Sequence, residues 1–255
     1  MSQLFSDHIK SQDLFFKHAR GVSDRSGKEF HAFHEIIYFL GGEAEFVSEK
    51  LHMPLRPETL IVIPRETYHQ LVVTGDPRGY HRCLLQFSSD AVFKGITAVR
   101  GDREIGYLFE KLMAAAEAQD PAAPRLLDAV LTLLLHALKD KPPLADGVYA
   151  QNPLVRQAVR YIDQNLATPL SLPQIAKACS VSVSTLSHVF KLEMNLSLHQ
   201  FIIKKRLISA RHKISSGQSA ATAALDCGFC DYSAFYKQYK KHFGASPARR
   251  DGASL

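Results

Sequence analysis

The chain has 255 residues, 46% of them hydrophobic and 22% charged, which excludes a disordered chain and leaves room for two domains. No run approaches eighteen uninterrupted apolar residues, and the first dozen residues lack a basic segment followed by an apolar one. Neither a membrane span nor a secretory leader is expected, and four Cys fit a reducing cytoplasm. The net charge of +6 hides an asymmetry: residues 151–255 hold 14 Lys/Arg against 5 Asp/Glu, a net of +9, whereas residues 1–150 hold 17 against 20. A polyanion partner is therefore expected for the C-terminal part alone.

In chain order, the first ninety residues read as short strands. Glu35–Leu40 is β-branched and aromatic and stops at Gly41-Gly42. Glu43–Val47 follows at hairpin distance, Thr59–Ile63 ends at Pro64, His69–Val73 ends before Gly75, and Tyr80–Phe87 is another run. Strands of this length, punctuated by Gly and Pro, predict an antiparallel sandwich or barrel. From about 103 to 138 the period becomes helical, with Asp120-Pro121 as an interruption. Leu127, Leu131, Leu134 and Leu138 form a stripe at i, i+4, i+7 and i+11. Leu126, Val130 and Leu133 widen it, so half is expected on the barrel and half on a second copy of the chain. The stripe is assigned to a homodimer contact. A Pro- and Gly-bearing linker over 141–152 then separates an effector and dimerisation domain (1–140) from a helical domain (153–255).

Within the helical part, two units repeat at an offset of 49: Leu186 matches Phe235, Phe190 matches Tyr239, Lys191 matches Lys240, and Ser197 matches Ser246. Each unit is a short helix, a tight turn and a second helix. Ser171 opens the first helix, Cys179-Ser180-Val181 is its turn, and Ser182 caps the next. In the second unit, Ala220–Asp226 is followed by the Gly228-Phe229 turn and an Asp231 cap. The outer faces of the second helices carry Ser184, Ser187, His188 and Lys191 in one unit, and Ser233, Tyr236, Lys237 and Lys240 in the other. Small hydroxyls, a His or Lys donor and an aromatic suit base edges in a major groove. Between the units, Leu198 to about Ile214 predicts a rod whose Lys204, Lys205, Arg206, Arg211 and Lys213 are candidates for phosphate contacts, as are the helix starts at Ser171 and Ala220.

These residues carry a family resemblance. Leu172-x2-Ile175-Ala176, Ser182-x3-Leu186-Ser187-x2-Phe190-Lys191, Arg206-x3-Ala210 and Gly228-Phe229-x-Asp231-x-Ser233-x-Phe235-x3-Tyr239-Lys240-x3-Gly244-x-Ser246-Pro247 resemble the tandem helix-turn-helix domain of AraC/XylS-type transcription regulators. The resemblance implies base-facing positions at Ser184, Ser187, His188, Tyr232, Ser233, Tyr236 and Lys237. Departures are Ser180 and Asn195 where the family usually has Gly, His188 for a common Arg, and Arg250-Asp251 for a closing Tyr-Arg pair. Upstream, His31-x2-His34-Glu35, Gly42-Glu43 and Pro64-x4-His69 are similar to the cupin-like effector domain of such regulators. The whole implies an α+β two-domain chain: an N-terminal cupin-like antiparallel β-barrel with helices, then an all-α domain. Its partners would be double-stranded DNA, a small-molecule effector and a second copy of the chain, with no membrane and no resident cofactor.

His31, Tyr38, His69 and Gln86 are the expected effector lining, with surface placement the plainer expectation for His34. Arg65 and Arg82 either pair with an anionic effector or are solvated. A catalytic metal on His31, His34, Glu35 and His69 is not expected, because the strict cupin-enzyme spacing is missing and residues three apart on a strand face opposite sides. Cys227-x2-Cys230 has zinc-knuckle spacing but no second pair nearby. No nucleophile signature or phosphate loop occurs, so no catalytic residue is assigned. Two other functions fit parts of the sequence: a metal-dependent cupin enzyme with an accessory helical domain, and a module whose basic half contacts an acidic protein.

Overall fold

The computed structural model describes residues 5–11, 13–21, 28–29, 33–49, 51–65, 67–88, 95–144, 149–150 and 152–247. The chain divides into two compact units, residues 1–149 (with 253–255) and 150–252.

The first unit is built on two sheets. The six-stranded one has the order β1-β2-β9-β4-β7-β10, from β1 (Phe5–Lys10), β2 (Leu14–Arg20), β9 (His81–Phe87), β4 (His34–Gly41), β7 (Thr59–Ile63) and β10 (Thr97–Arg100). The other has the order β11-β6-β5-β8-β3, from β11 (Tyr149–Ala150), β6 (Leu51–Pro54), β5 (Ala44–Ser48), β8 (His69–Val73) and β3 (Lys28–Glu29). The expected barrel is thus an open pair of sheets: among the described residues no ladder joins the edges of one to the other. The hairpin from β4 to β5 turns at Gly42, with φ +96, where a Cβ would meet the Gly79 carbonyl oxygen at 2.8 Å.

Strand alternation sorts the apolar residues into two cores. Ile37, Phe39, Ile61 and Ile63 of the larger sheet meet Phe46, Met53 and Leu71 of the smaller one. On the opposite face, Ile36, Tyr38, Leu85 and Phe87 are covered by α1 (Arg103–Glu117) and α2 (Ala123–Ala137). Both faces of the large sheet are therefore dry, which is why β4 buries six residues in a row instead of every second one. Covering that face also takes up the leucine stripe. Leu127 and Leu134 are wholly buried in their own chain's core, and Leu131 and Leu138 pack at its margin. The four leucines assigned to a dimer contact thus serve this core; the large apolar residue that α2 exposes is Leu133, 49% exposed.

The second unit is all helix: α3 (Pro153–Gln164), α4 (Leu172–Ala178), α5 (Val183–Met194), α6 (Leu198–Ser215), α7 (Ala220–Asp226) and α8 (Tyr232–Phe243). Side chains set most of the helix starts. Ser171 and Ser197 form capping boxes with Gln174 and Gln200, Ser182 accepts from the Thr185 amide, and Asp231 accepts from Ser233 and Ala234. Phe190 of α5 packs edge-on against Phe201 of α6 at 5.3 Å, and Phe229 against Phe235 of α8 at 5.1 Å, so an aromatic clasp holds each second helix, the first to the rod and the other to its own turn. The eighteen residues of α6 span about 27 Å between them.

Candidate nucleic-acid interface and effector pocket

The outer face of α5 exposes Ser184, His188 and Lys191, with Ser187 half-buried beside them. The outer face of α8 exposes Tyr232, Ser233, Tyr236, Lys237 and Lys240. Inward, α5 buries Leu186, Phe190 and Met194, and α8 buries Phe235 and Tyr239. Each recognition-type helix is anchored by an aromatic face and presents donors and hydroxyls to solvent. Thr185, Gln238 and Lys241, which the sequence reading passed over, are exposed on the same helices. Their signal was the helical period itself, extended one position beyond the motif.

Arg206 is placed differently from the expectation of a phosphate contact. It is 9% exposed, and its Nε and Nη2 donate to the carbonyl oxygens of Leu166 (3.0 Å) and Thr168 (2.7 Å). Burial pushes its pKa down from the ordinary value. Across from it lies Gly228, with φ +83; a Cβ there would stand 2.8 Å from the Leu166 oxygen and 2.9 Å from an Arg206 nitrogen. Arg206 therefore ties the segment after α3 to the second turn. Other rod charges are also engaged inside the unit: Lys205 bonds Asp163 at 2.7 Å, Arg211 lies over Phe243 at 4.7 Å, and Lys213 faces Asp226 at 3.5 Å. Long charged side chains on α6 thus cross-brace the two halves. The helix start expected at Ala220 is capped by Ser219, which accepts from the Thr222 amide.

In the first unit, strand register brings one polar group together between the sheets. Glu35 sits directly opposite Gln86, whose Nε2 donates to its carboxylate at 2.9 Å. His69 Nε2 lies 3.5 Å from the other Glu35 oxygen, and its Nδ1 lies 3.1 Å from the Thr67 carbonyl oxygen, which accepts a hydrogen bond if that nitrogen carries the proton. Phe46 stacks along the His69 ring. Nearby, Tyr68 is fully buried and its hydroxyl donates to Gln70 at 3.4 Å; burial raises its pKa. His69 and Gln86 thus both meet the Glu35 carboxylate. Tyr38 is not with them: three residues from Glu35 on one strand, it faces the helices and stacks on Phe109 at 4.6 Å. His34 is buried rather than at the surface, its Nδ1 accepting from the Arg65 amide at 3.2 Å. His31 lies outside the described residues. Among the described residues, no three His, Cys, Asp or Glu side chains are grouped to hold a metal ion. Cys227 is buried and Cys230 exposed, with both thiols free.

Residues 11–143 match the model of the AraC-like ligand binding domain, and residues 175–250 match a helix-turn-helix domain. The first match alone spans more than half of the chain. This chain belongs to the AraC family of transcription regulators. The arabinose operon regulatory protein of Escherichia coli is 27% identical over 242 residues, 90% of this chain and 76% of that protein. The uncharacterised regulator YdiP of the same organism is 24% identical over 84% of this chain and 77% of its own length. Among solved structures, an AraC-type regulator from Chromobacterium violaceum aligns with 40% of this chain and 96% of its own at 28% identity, with a TM-score of 0.37. An AraC-family chain of this plan is a DNA-binding transcription regulator with an N-terminal ligand-binding domain and a C-terminal helix-turn-helix domain.

Proposed function

We propose that α5 and α8 each enter a major groove and read base edges. Ser184, Ser187 and His188 would read from one helix, and Tyr232, Ser233, Tyr236 and Lys237 from the other. Lys191 and Lys240 then neutralise phosphates. The observation that carries this reading is the pair of solvent-facing helix surfaces, both held by an aromatic clasp and a capped N-terminus and joined by one rod. Arg206 contributes by fixing the joint between the units rather than by touching DNA.

The effector is a small molecule that enters between the two sheets and exchanges hydrogen bonds with the Glu35–His69–Gln86 group. Its binding changes the population of DNA-competent protein, a shift limited by its differential affinity for the two states. The regulator works as a homodimer in the cytoplasm, with contact on the side of α2 that carries Leu133. It is not an enzyme; the grouped carboxylate, imidazole and amide bind a ligand rather than catalyse. Selection of genomic fragments with the purified protein, with and without candidate metabolites, tests the reading. His69→Ala and Gln86→Ala should abolish the response to the effector and leave effector-free DNA binding intact. Loss of DNA binding in both, or an unchanged response, would contradict the assignment.

A further inference from the structure

A cleft of about 390 Å³ opens on the helix-covered side of the first unit, apart from the inter-sheet polar group. Its walls are Asp7 and Ile9 of β1, Ala115 and Ala116 at the end of α1, and Ala123 and Pro124 at the start of α2. Three alanines where longer side chains would fill the space keep it open, and its volume falls within the range of small-ligand sites.

The polar character of the cleft has one sign at depth. Asp7 shares the parity of Ile9, which is buried under the helices, so its carboxylate points inward from the edge strand. Its Oδ2 is buried and has no hydrogen-bond partner among the described residues. Such an atom is destabilising when left unmet. His18 stands directly opposite Asp7, and its ring contacts His81 Nε2 to Nε2 at 2.7 Å. Burial and then Arg20 hold His18 below its ordinary pKa, and burial, then His18 and Arg20, hold His81 down to about 4. A second carboxylate, Asp120, lines the cleft between the end of α1 and the start of α2; it is exposed, and its Oδ1 accepts from the Ala122 amide at 2.8 Å. The Lys10 and His8 side chains have the opposite parity and are exposed at the rim, and Arg20 lies beyond the His pair at the far end of β2.

We propose that this cleft is a second ligand site, taking a small organic cation whose ammonium or guanidinium head bonds Asp7 and whose short apolar stem lies over Ile9, Ala115, Ala116 and Ala123. The site is independent of the inter-sheet effector reading, since it shares none of its residues.

The test is titration calorimetry of the full-length protein with n-butylammonium, alongside 1-butanol and butyrate as neutral and anionic counterparts of the same stem. The amine should bind saturably at one site and at least tenfold more tightly than either counterpart. Asp7→Asn should weaken it at least tenfold. That variant should melt no lower than the parent without ligand, because Oδ2 has no hydrogen bond to lose, and this separates lost binding from lost folding. In carbon-13 spectra of alanine-methyl-labelled protein, the amine should shift Ala115, Ala116 and Ala123. Equal or absent binding of the three compounds, undiminished binding to Asp7→Asn, or shifts confined to other alanines would overturn the proposal.

Discussion

The two helix-turn-helix units share a plan but differ in how their turns are built and what their outer helices present. In the second, Gly228 takes φ +83 against a carbonyl and a guanidinium, so no side chain fits. In the first, Ser180 adopts φ +56 in the equivalent turn and is exposed, so its side chain has room in water. The outer face of α8 is aromatic and cationic, with Tyr232, Tyr236, Lys237 and Lys240. That of α5 is mainly hydroxyl and imidazole, with one Lys. One unit is therefore tightly locked and electrostatically strong, the other more tolerant and weaker in charge. A repeat in sequence does not imply equal shares of stability or affinity.

The sharpest way to break this comparison is at the turns. Gly228→Ala should cost roughly 2–4 kcal/mol, from a left-handed backbone and a backbone clash together. Ser180→Gly should stay within about 1 kcal/mol of the parent. Urea unfolding of both variants checks this, and equal losses would erase the distinction. Next in size, Arg206→Ala should lose about 3 kcal/mol, because two carbonyls lose a charged donor. Arg206→Lys should recover only part, since one ammonium cannot reproduce the fork. The salt slope of DNA binding in both variants should stay close to the parent's if Arg206 does not touch phosphate.

Acid stability sharpens the picture at smaller scale. His242, on the inner side of α8, is held down to about 4 by burial and then by Lys204 and Arg211. Its ordinary value is 6.5, so between pH 6.5 and about 4 the unfolded chain takes a proton that the folded chain refuses. Stability is full above that window and falls as pH drops through it. His242→Leu should therefore stabilise the protein by about 1 kcal/mol at pH 5 and by less at pH 8, as thermal melts would show. The smallest expected effect is on salt dependence: Lys240→Ala on the second helix and Lys191→Ala on the first should each lower the log–log slope of DNA binding by about 1.

Local chemistry made the second unit legible. Ser171, Ser182 and Asp231 cap the helices they were expected to cap, because a capping side chain and its amide partners lie within three residues of one another. Thr59–Ile63 and His69–Val73 are strands at their expected bounds, since Pro and Gly end them. Elements that depend on distant partners were missed. Strand β1, Phe-Ser-Asp-His-Ile-Lys, carries no apolar alternation and is a strand through pairing with β2. Sequence also could not say what an apolar stripe meets: the stripe assigns Leu127 and Leu134 to a subunit contact, but the large sheet needs a second cover and they supply it. In the same way, Arg206 matched a motif whose spacing fixes a helix position but not whether the side chain turns to solvent or to Leu166 and Thr168. Glu35, Gln86 and His69 come from three strands: register sets Glu35 opposite Gln86, and the packing of one sheet on the other brings His69 to them.

The central claim is that two exposed helix faces on one rod read DNA sequence. Bound-fragment selection with the parent protein and with a Tyr236→Ala, Lys237→Ala double variant tests it most directly. The account predicts that the parent enriches one bipartite site, while the variant, with an unchanged melt, retains its preference only in the half assigned to α5. Enrichment of the same complete site by the variant would contradict it.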